Sequence, residues 1–194
     1  MLDLQKLAEN VPKWYHFPVY QSVWFGGKEL IKGGRDNMFP RMNKIRKEDI
    51  KGKVVVDIGC NLGAASFWAI ENGAKRVKGF DVVPEGIDLA NKIAQELNVD
   101  CEFKVQDFGV KLPKMGDVAF CFACSDDITK ESDTKKHILA ANLSDYDVVY
   151  FETHLKGTFP NWNIPEQVRN AFNVEYLGET GEGGLKRDFY RLSK

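Results

Sequence analysis

The 28 residues from Val54 to Asp81, VVVDIGCNLGAASFWAIENGAKRVKGFD, constrain the fold of this chain more than any other stretch. Three valines run into Asp57 and read as a buried strand. The segment Asp57-Ile58-Gly59-Cys60-Asn61-Leu62-Gly63 then reads as a glycine turn. Gly59 permits a sharp exit from the strand, and Gly63 stands where a helix must start tight against a sheet. Leu62, Ala65, Ser66, Ala69 and Ile70 follow at i, i+3, i+4, i+7 and i+8, a core-facing helical stripe. Asn72-Gly73 predicts the end of that helix. Val77 to Phe80 predicts a second strand, with Asp81 at its carboxyl end. A strand–turn–helix–strand of about 30 residues is one βαβ unit, the building block of a parallel sheet.

The turn also speaks to a ligand. A dinucleotide site wants G-x-G-x-x-G and bare helix N–H groups for a pyrophosphate. Here Asn61 replaces the second glycine, and the Asp57 carboxylate at the turn entry repels phosphate. That carboxylate suits an ammonium group. An acid at the end of the second strand can accept the hydroxyls of a ribose. Acid, glycine turn and second acid together describe an adenosine ligand with a cationic amino-acid tail.

On these residues the chain resembles the class I S-adenosylmethionine-dependent methyltransferases: D-I-G-C-N-x-G, then Ser66-Phe67, then G-A-x-x-V-x-G-x-D. Asn61 and the Ser66-Phe67 pair look most like the branch holding small-molecule and tRNA wobble-uridine-type transferases. The resemblance implies S-adenosylmethionine as cofactor, touched by Asp57, Gly59, Cys60, Asn61, Gly63, Asp81, Val82, Asp107, Phe108 and Cys124. In such enzymes an acid after the third strand meets the adenine amine and an apolar neighbour packs on the ring. Asp107 and Phe108 are placed for these roles.

At 194 residues one compact unit is expected. No apolar run approaches the ~18 residues of a membrane span, so no membrane partner is expected. The first residues do not read as a signal peptide, which makes a cytoplasmic location the expectation. Cys121 and Cys124 form C-x-x-C within the apolar run FCFAC. On a continuous strand residues three apart face opposite sides, so the reading is two buried free thiols that share neither metal nor disulfide. The net charge of −1 hides an asymmetry. Residues 1–53 hold 11 Lys and Arg against 6 Asp and Glu, whereas the remainder holds 16 against 22. The basic part fits either a solvated face or an anionic substrate.

In chain order, residues 1–10 predict a short amphipathic helix. Residues 14–37, dense in aromatics, predict an ordered lid with Gly26-Gly27 and Gly33-Gly34 as hinges. Residues 40–50 predict one helix beginning at Pro40. These make residues 1–50 an N-terminal helical and aromatic cap, followed by a cofactor-binding unit over 51–194. Within that unit, strands are predicted at Cys101–Val105, Asp117–Cys124, Asp147–Phe151, Val174–Leu177 and Arg187–Leu192, and helices at Pro84–Leu97, 130–143 and Pro165–Phe172. The fold expected is α/β: a Rossmann-like, seven-stranded, mostly parallel sheet with helices on both faces. The last strand can fill the antiparallel place near one edge of the family's sheet.

Open α/β sheets bind ligands at the carboxyl ends of their strands. His154 and Glu152, after the fifth strand, and His16, in the cap, are candidate bases for an acceptor that must lose a proton. Tyr15, Trp24 and Arg35 in the lid are candidate acceptor contacts, with the Arg35 fork matched to a carboxylate or phosphate. No Cys/His spacing supports zinc, and no metal is expected. The leading reading is methyl transfer to an O or N of a small molecule, which an anionic group would suit. A tRNA-modifying methyl or carboxymethyl transferase, with RNA as partner, is the first alternative. A catalytically silent S-adenosylmethionine-binding module is the second.

Overall fold

Val55 and Val56 are adjacent and both fully buried, each in a different apolar core. Only a sheet covered on both faces accommodates that pair, because successive strand residues point to opposite sides. The computed structural model describes residues 3–11, 19–35, 38–129, 132–153, 166–181 and 186–194. Its elements run α1 (Leu4–Ala8), β1 (Val23–Phe25), β2 (Lys28–Ile31), α2 (Met38–Met42), α3 (Lys47–Ile50), β3 (Val54–Ile58), α4 (Ala64–Glu71), β4 (Arg76–Asp81), α5 (Pro84–Leu97), β5 (Cys101–Val105), β6 (Val118–Phe122), α6 (Ser125–Thr129), α7 (Asp133–Leu143), β7 (Val148–Glu152), α8 (Glu166–Ala171), β8 (Asn173–Thr180) and β9 (Arg187–Ser193).

The main sheet has the order β5-β4-β3-β6-β7-β9-β8. The β5 to β7 strands pair in parallel, and β9 enters antiparallel between β7 and β8. This is the α/β architecture expected from the sequence. The last strand takes the antiparallel place because the short β8–β9 connection allows only a hairpin. On one face, α4 and α5 bury Phe67, Ala69, Ala90 and Ile93 with Val77, Phe103 and Phe120. On the other, α7 and α8 bury Leu139, Leu143 and Val168 with Ile58, Phe80 and Phe151. The helix α5 follows its cap signals, with Pro84 in its first turn and Asn98 left-handed at its end.

The N-terminal segment joins the same core. Val23, Ile31, Met42, Ile45 and Ile50 pack in the cluster that holds Val55. Here the structure departs from the sequence reading in three places. Gly26 and Gly27, read as a hinge, are the two-residue turn of the β1–β2 hairpin, at φ +60° and +70°. That double positive φ is what a type I′ hairpin demands of glycine. Gly33 is a close-packing site, where a Cβ would lie 2.3 Å from the Gln21 carbonyl carbon. The single helix expected over 40–50 is two short ones, because Arg46 is extended (φ −75°, ψ 121°) and donates its N–H to the Tyr150 hydroxyl at 2.8 Å.

A fourth departure lies at β6. The strand ends at Phe122, and Ala123 takes a left-handed φ of +53° that turns the chain into α6. The turn brings the Cys121 and Cys124 Sγ atoms to 3.7 Å, both free thiols. Facing alternation applies to a continuous strand, and this one is broken between the two cysteines.

Candidate functional site

Asp57 sits next to last in β3, between β4 and β6, and is 2% exposed. Its Oδ2 accepts the Ser66 hydroxyl at 2.7 Å. Burial pushes its carboxyl up to about 6, against the Ser66 hydrogen bond and the charge of Arg41, which both pull it down. The chain then turns through Gly59 (φ +71°), Asn61 (φ +50°) and Gly63 (φ +82°). The Gly59 and Cys60 amides both donate to the Phe80 carbonyl, at 2.8 and 3.0 Å. Asn61 holds its own left-handed turn by accepting the Leu62 amide on Oδ1 at 2.8 Å. Gly63 caps α4, and a Cβ there would lie 2.7 Å from Phe103 Cζ.

Asp81 ends β4 with its carboxylate aimed by backbone. Oδ2 accepts the Asn61 amide at 2.9 Å, and Oδ1 accepts the Val82 and Val83 amides at 2.7 and 3.2 Å. Beyond β5, Asp107 Oδ1 accepts the Gly109 amide at 2.7 Å while Oδ2 lies 3.5 Å from Lys135 Nζ. Phe108 is 2% exposed and its ring packs 5.5 Å from that of Phe80.

These groups meet on one cavity of about 880 Å³ at the carboxyl ends of the strands. Of the cofactor residues expected from the sequence, Asp57, Gly59, Cys60, Asn61, Asp81, Val82, Asp107, Phe108 and Cys124 line it. Gly63 does not; it is placed by its contact with Phe103. The acids, the polar Asn61 turn and the apolar rings of Phe80, Phe108 and Phe122 form a donor set that fits an adenosyl group with an ammonium tail. Burial and nearby carboxylates push the Cys60 thiol well up, and the Cys121 contact and burial do the same for Cys124. Both are inert thiols here.

The other half of the sheet carries an ionic cluster of which the sequence reading named Glu152 but not its two arginines. Glu152, the last residue of β7, is 0% exposed. It accepts from Arg41, Arg187 and the Thr180 hydroxyl. Burial alone would raise its carboxyl, but Arg41, Thr180 and Arg187 overcome this and hold it below the usual range. A carboxylate so tied is a poor proton acceptor, and in this structure Glu152 anchors two arginines. Arg41 and Arg187, with Tyr20 and Gln21, line the cavity instead.

Arg35 and Trp24 lie outside the cavity lining. Arg35 Nη1 donates to the Tyr20 hydroxyl at 2.9 Å, and Trp24 packs edge-on against Phe39. His154, His16 and Tyr15 lie outside the described residues, as do residues 14–18 and 36–37 of the expected lid. Among the described residues no group of three His, Cys, Asp or Glu could hold a metal, and no helix is long and apolar enough to cross a membrane.

With this geometry in place, known proteins bear on the family and the fold. A family model described as a methyltransferase domain matches residues 49–150, just over half of the chain. The ribosomal protein L11 methyltransferase of Acinetobacter baumannii (strain SDF) is 36% identical over 91 residues, 45% of this chain and 30% of that protein. The chain spans less than a third of the length of the curated relatives it matches. Among solved structures, the bifunctional kinase-methyltransferase WbdD superposes with a TM-score of 0.75 at 19% identity, over 98% of this chain and 46% of that one. Magnesium protoporphyrin IX methyltransferase from Synechocystis PCC 6803, solved with bound S-adenosylmethionine, gives 0.60 at 20% identity, over 76% of this chain and 73% of its own. At these identities the structural matches speak to the fold.

Proposed function

The chain belongs to the methyltransferase-domain family, S-adenosylmethionine-dependent in its chemistry, and from that premise we propose that it methylates an oxygen or nitrogen of a small-molecule acceptor. The observation that carries this reading is the convergence of Asp57, Asp81 and Asp107 from three adjacent strands on one cavity. Asp81 would hold the ribose, Asp57 the ammonium, and Asp107 with Phe108 the adenine.

When bound, S-adenosylmethionine supplies a methyl group on a sulfonium, open to displacement by a nucleophile. The task left to the chain is to hold the acceptor in line and to keep water out. Phe80, Phe108 and Phe122 make that cavity partly apolar. Asp57, neutral or ionised near pH 6 by itself, is drawn to its ionised form by an ammonium partner. Should the acceptor carry a proton, His154, two residues past Glu152, and His16 are the side chains we assign to receive it. Residues 1–50 would cap this cavity, the role we give Tyr15 and the remainder of the lid.

The test is a labelled-methyl assay on cell extract separated into metabolites, RNA and protein. Label in the metabolite fraction supports the proposal. Label in RNA, which the basic first 53 residues would favour, moves the reading to RNA modification. Cofactor binding without transfer to any fraction moves it to a silent binding module.

A further inference from the structure

Arg41 and Arg187 are 6% and 5% exposed, and both border the cavity. A guanidinium keeps its proton in a protein, so each brings a full charge that needs a partner when buried. Glu152 serves both. Arg41 takes it as a fork, Nε to Oε1 at 3.0 Å and Nη2 to Oε2 at 2.5 Å, with its guanidinium 4.9 Å from the Phe122 ring centre. Arg187 reaches it with Nη1, 3.2 Å from Oε2, and its fully enclosed Nε has no hydrogen-bond partner among the described residues. Arg187 also contacts the Tyr20 side chain, which receives Arg35 as well. Three guanidiniums thus converge on one carboxylate and one phenol among the described residues. Arg41's charge also reaches Asp57, but that acid is hydrogen-bonded to Ser66 and lies toward the cofactor half of the sheet.

We propose that Arg187, set beside Arg41, recognises an anionic group, a carboxylate or phosphate, on the methyl acceptor. The inference rests on the methyl-transfer reading above. Its warrant is the division of the cavity along the strand order. Asp57 and Asp81 belong to β3 and β4 and Asp107 follows β5, whereas Glu152 and Arg187 belong to β7 and β9. One half is acidic and suits the cationic cofactor. The other sets two guanidiniums against the single carboxylate of Glu152, a surplus of positive charge that an anion in the cavity would balance with charge-assisted hydrogen bonds. The same chemistry could come from the carboxylate of the cofactor's own methionine tail, and the experiment separates the two.

The experiment is titration calorimetry on the full chain saturated with S-adenosylhomocysteine. Phenyl phosphate and benzoate are the probes and benzyl alcohol the neutral control. The anions should bind at least about tenfold more tightly than benzyl alcohol. Arg187→Gln should lose about tenfold in anion affinity with S-adenosylhomocysteine affinity unchanged. Glu152→Gln, which removes the competing charge but keeps an acceptor for Arg41, should strengthen anion binding; it carries the test by itself if Arg187→Gln fails to fold. The proposal is overturned if the anions bind no better than the alcohol, if Arg187→Gln retains them, or if Glu152→Gln does not strengthen them. Equal weakening of anion and S-adenosylhomocysteine in Arg187→Gln also overturns it, by assigning Arg187 to the cofactor. Failure of S-adenosylhomocysteine to bind the wild type, with Arg187-dependent phenyl phosphate binding intact, would remove the methyl-transfer reading and leave the anion site standing.

Discussion

Arg41 Nε donates to Glu152 Oε1 at 3.0 Å across 111 residues of sequence, tying α2 to the last residue of β7 inside the protein. With Arg187 on the same carboxylate, the N-terminal segment, the central sheet and the final strand share one ionic knot. Glu152→Ala would leave two buried guanidiniums without their counter-charge, and we expect it to destabilise the fold by about 3–5 kcal/mol. Chemical denaturation measures this. A loss under about 1 kcal/mol would show that water reaches the knot.

Asp57 predicts a pH signature. Its folded pKa, about 6, stands above the ordinary 3.8, so ionisation costs stability. The penalty is absent below about pH 4, grows as pH rises, and is complete above pH 6. Asp57→Asn, which keeps the oxygen that accepts from Ser66, should therefore stabilise the ligand-free protein at pH 7.5 by roughly 1–3 kcal/mol. That advantage should shrink markedly at pH 5. The same variant should bind S-adenosylhomocysteine more weakly, having lost the ammonium's partner. Thermal melts at the two pH values, with and without ligand, check both; a pH-independent gap would contradict the shifted carboxyl.

Gly63 and Gly52 make a matched pair. Both have positive φ, +82° and +72°, but a Cβ at Gly52 meets nothing within 4 Å, whereas one at Gly63 strikes the Phe103 ring. Gly52→Ala should show only backbone strain, about 1 kcal/mol. Gly63→Ala adds the clash and should cost roughly 1–3 kcal/mol more. Equal losses in the two variants would mean that Phe103 can move aside.

What the sequence revealed follows from the range of the forces involved. The turn from Asp57 to Gly63 is local: its φ requirements, its helix stripe and the acids at the strand ends are written within a few dozen residues. The β1–β2 hairpin was also written locally, as Val23–Phe25 and Lys28–Ile31 around Gly26-Gly27, but the surrounding aromatics masked its period. Cys121 and Cys124 were misplaced because nothing in FCFAC signals that Ala123 turns left-handed; the α6 segment beyond it imposes that turn. Arg41 and Arg187 were missed for a different reason. Each looks like an ordinary surface cation in its own segment, and only the tertiary fold, with α2 packed at the sheet and β9 paired with β7, brings both to Glu152.

The central claim is that the cavity at the ends of β3, β4 and β5 holds the adenosyl cofactor, and calorimetry with S-adenosylhomocysteine tests it most directly. Asp81 is fixed by the Asn61, Val82 and Val83 amides, so its carboxylate is already oriented before any ligand arrives. The account predicts one-to-one binding to the wild type and roughly 10- to 100-fold weaker binding to Asp81→Ala, about 1–3 kcal/mol. No binding to the wild type, or equal affinity in the two proteins, would contradict it.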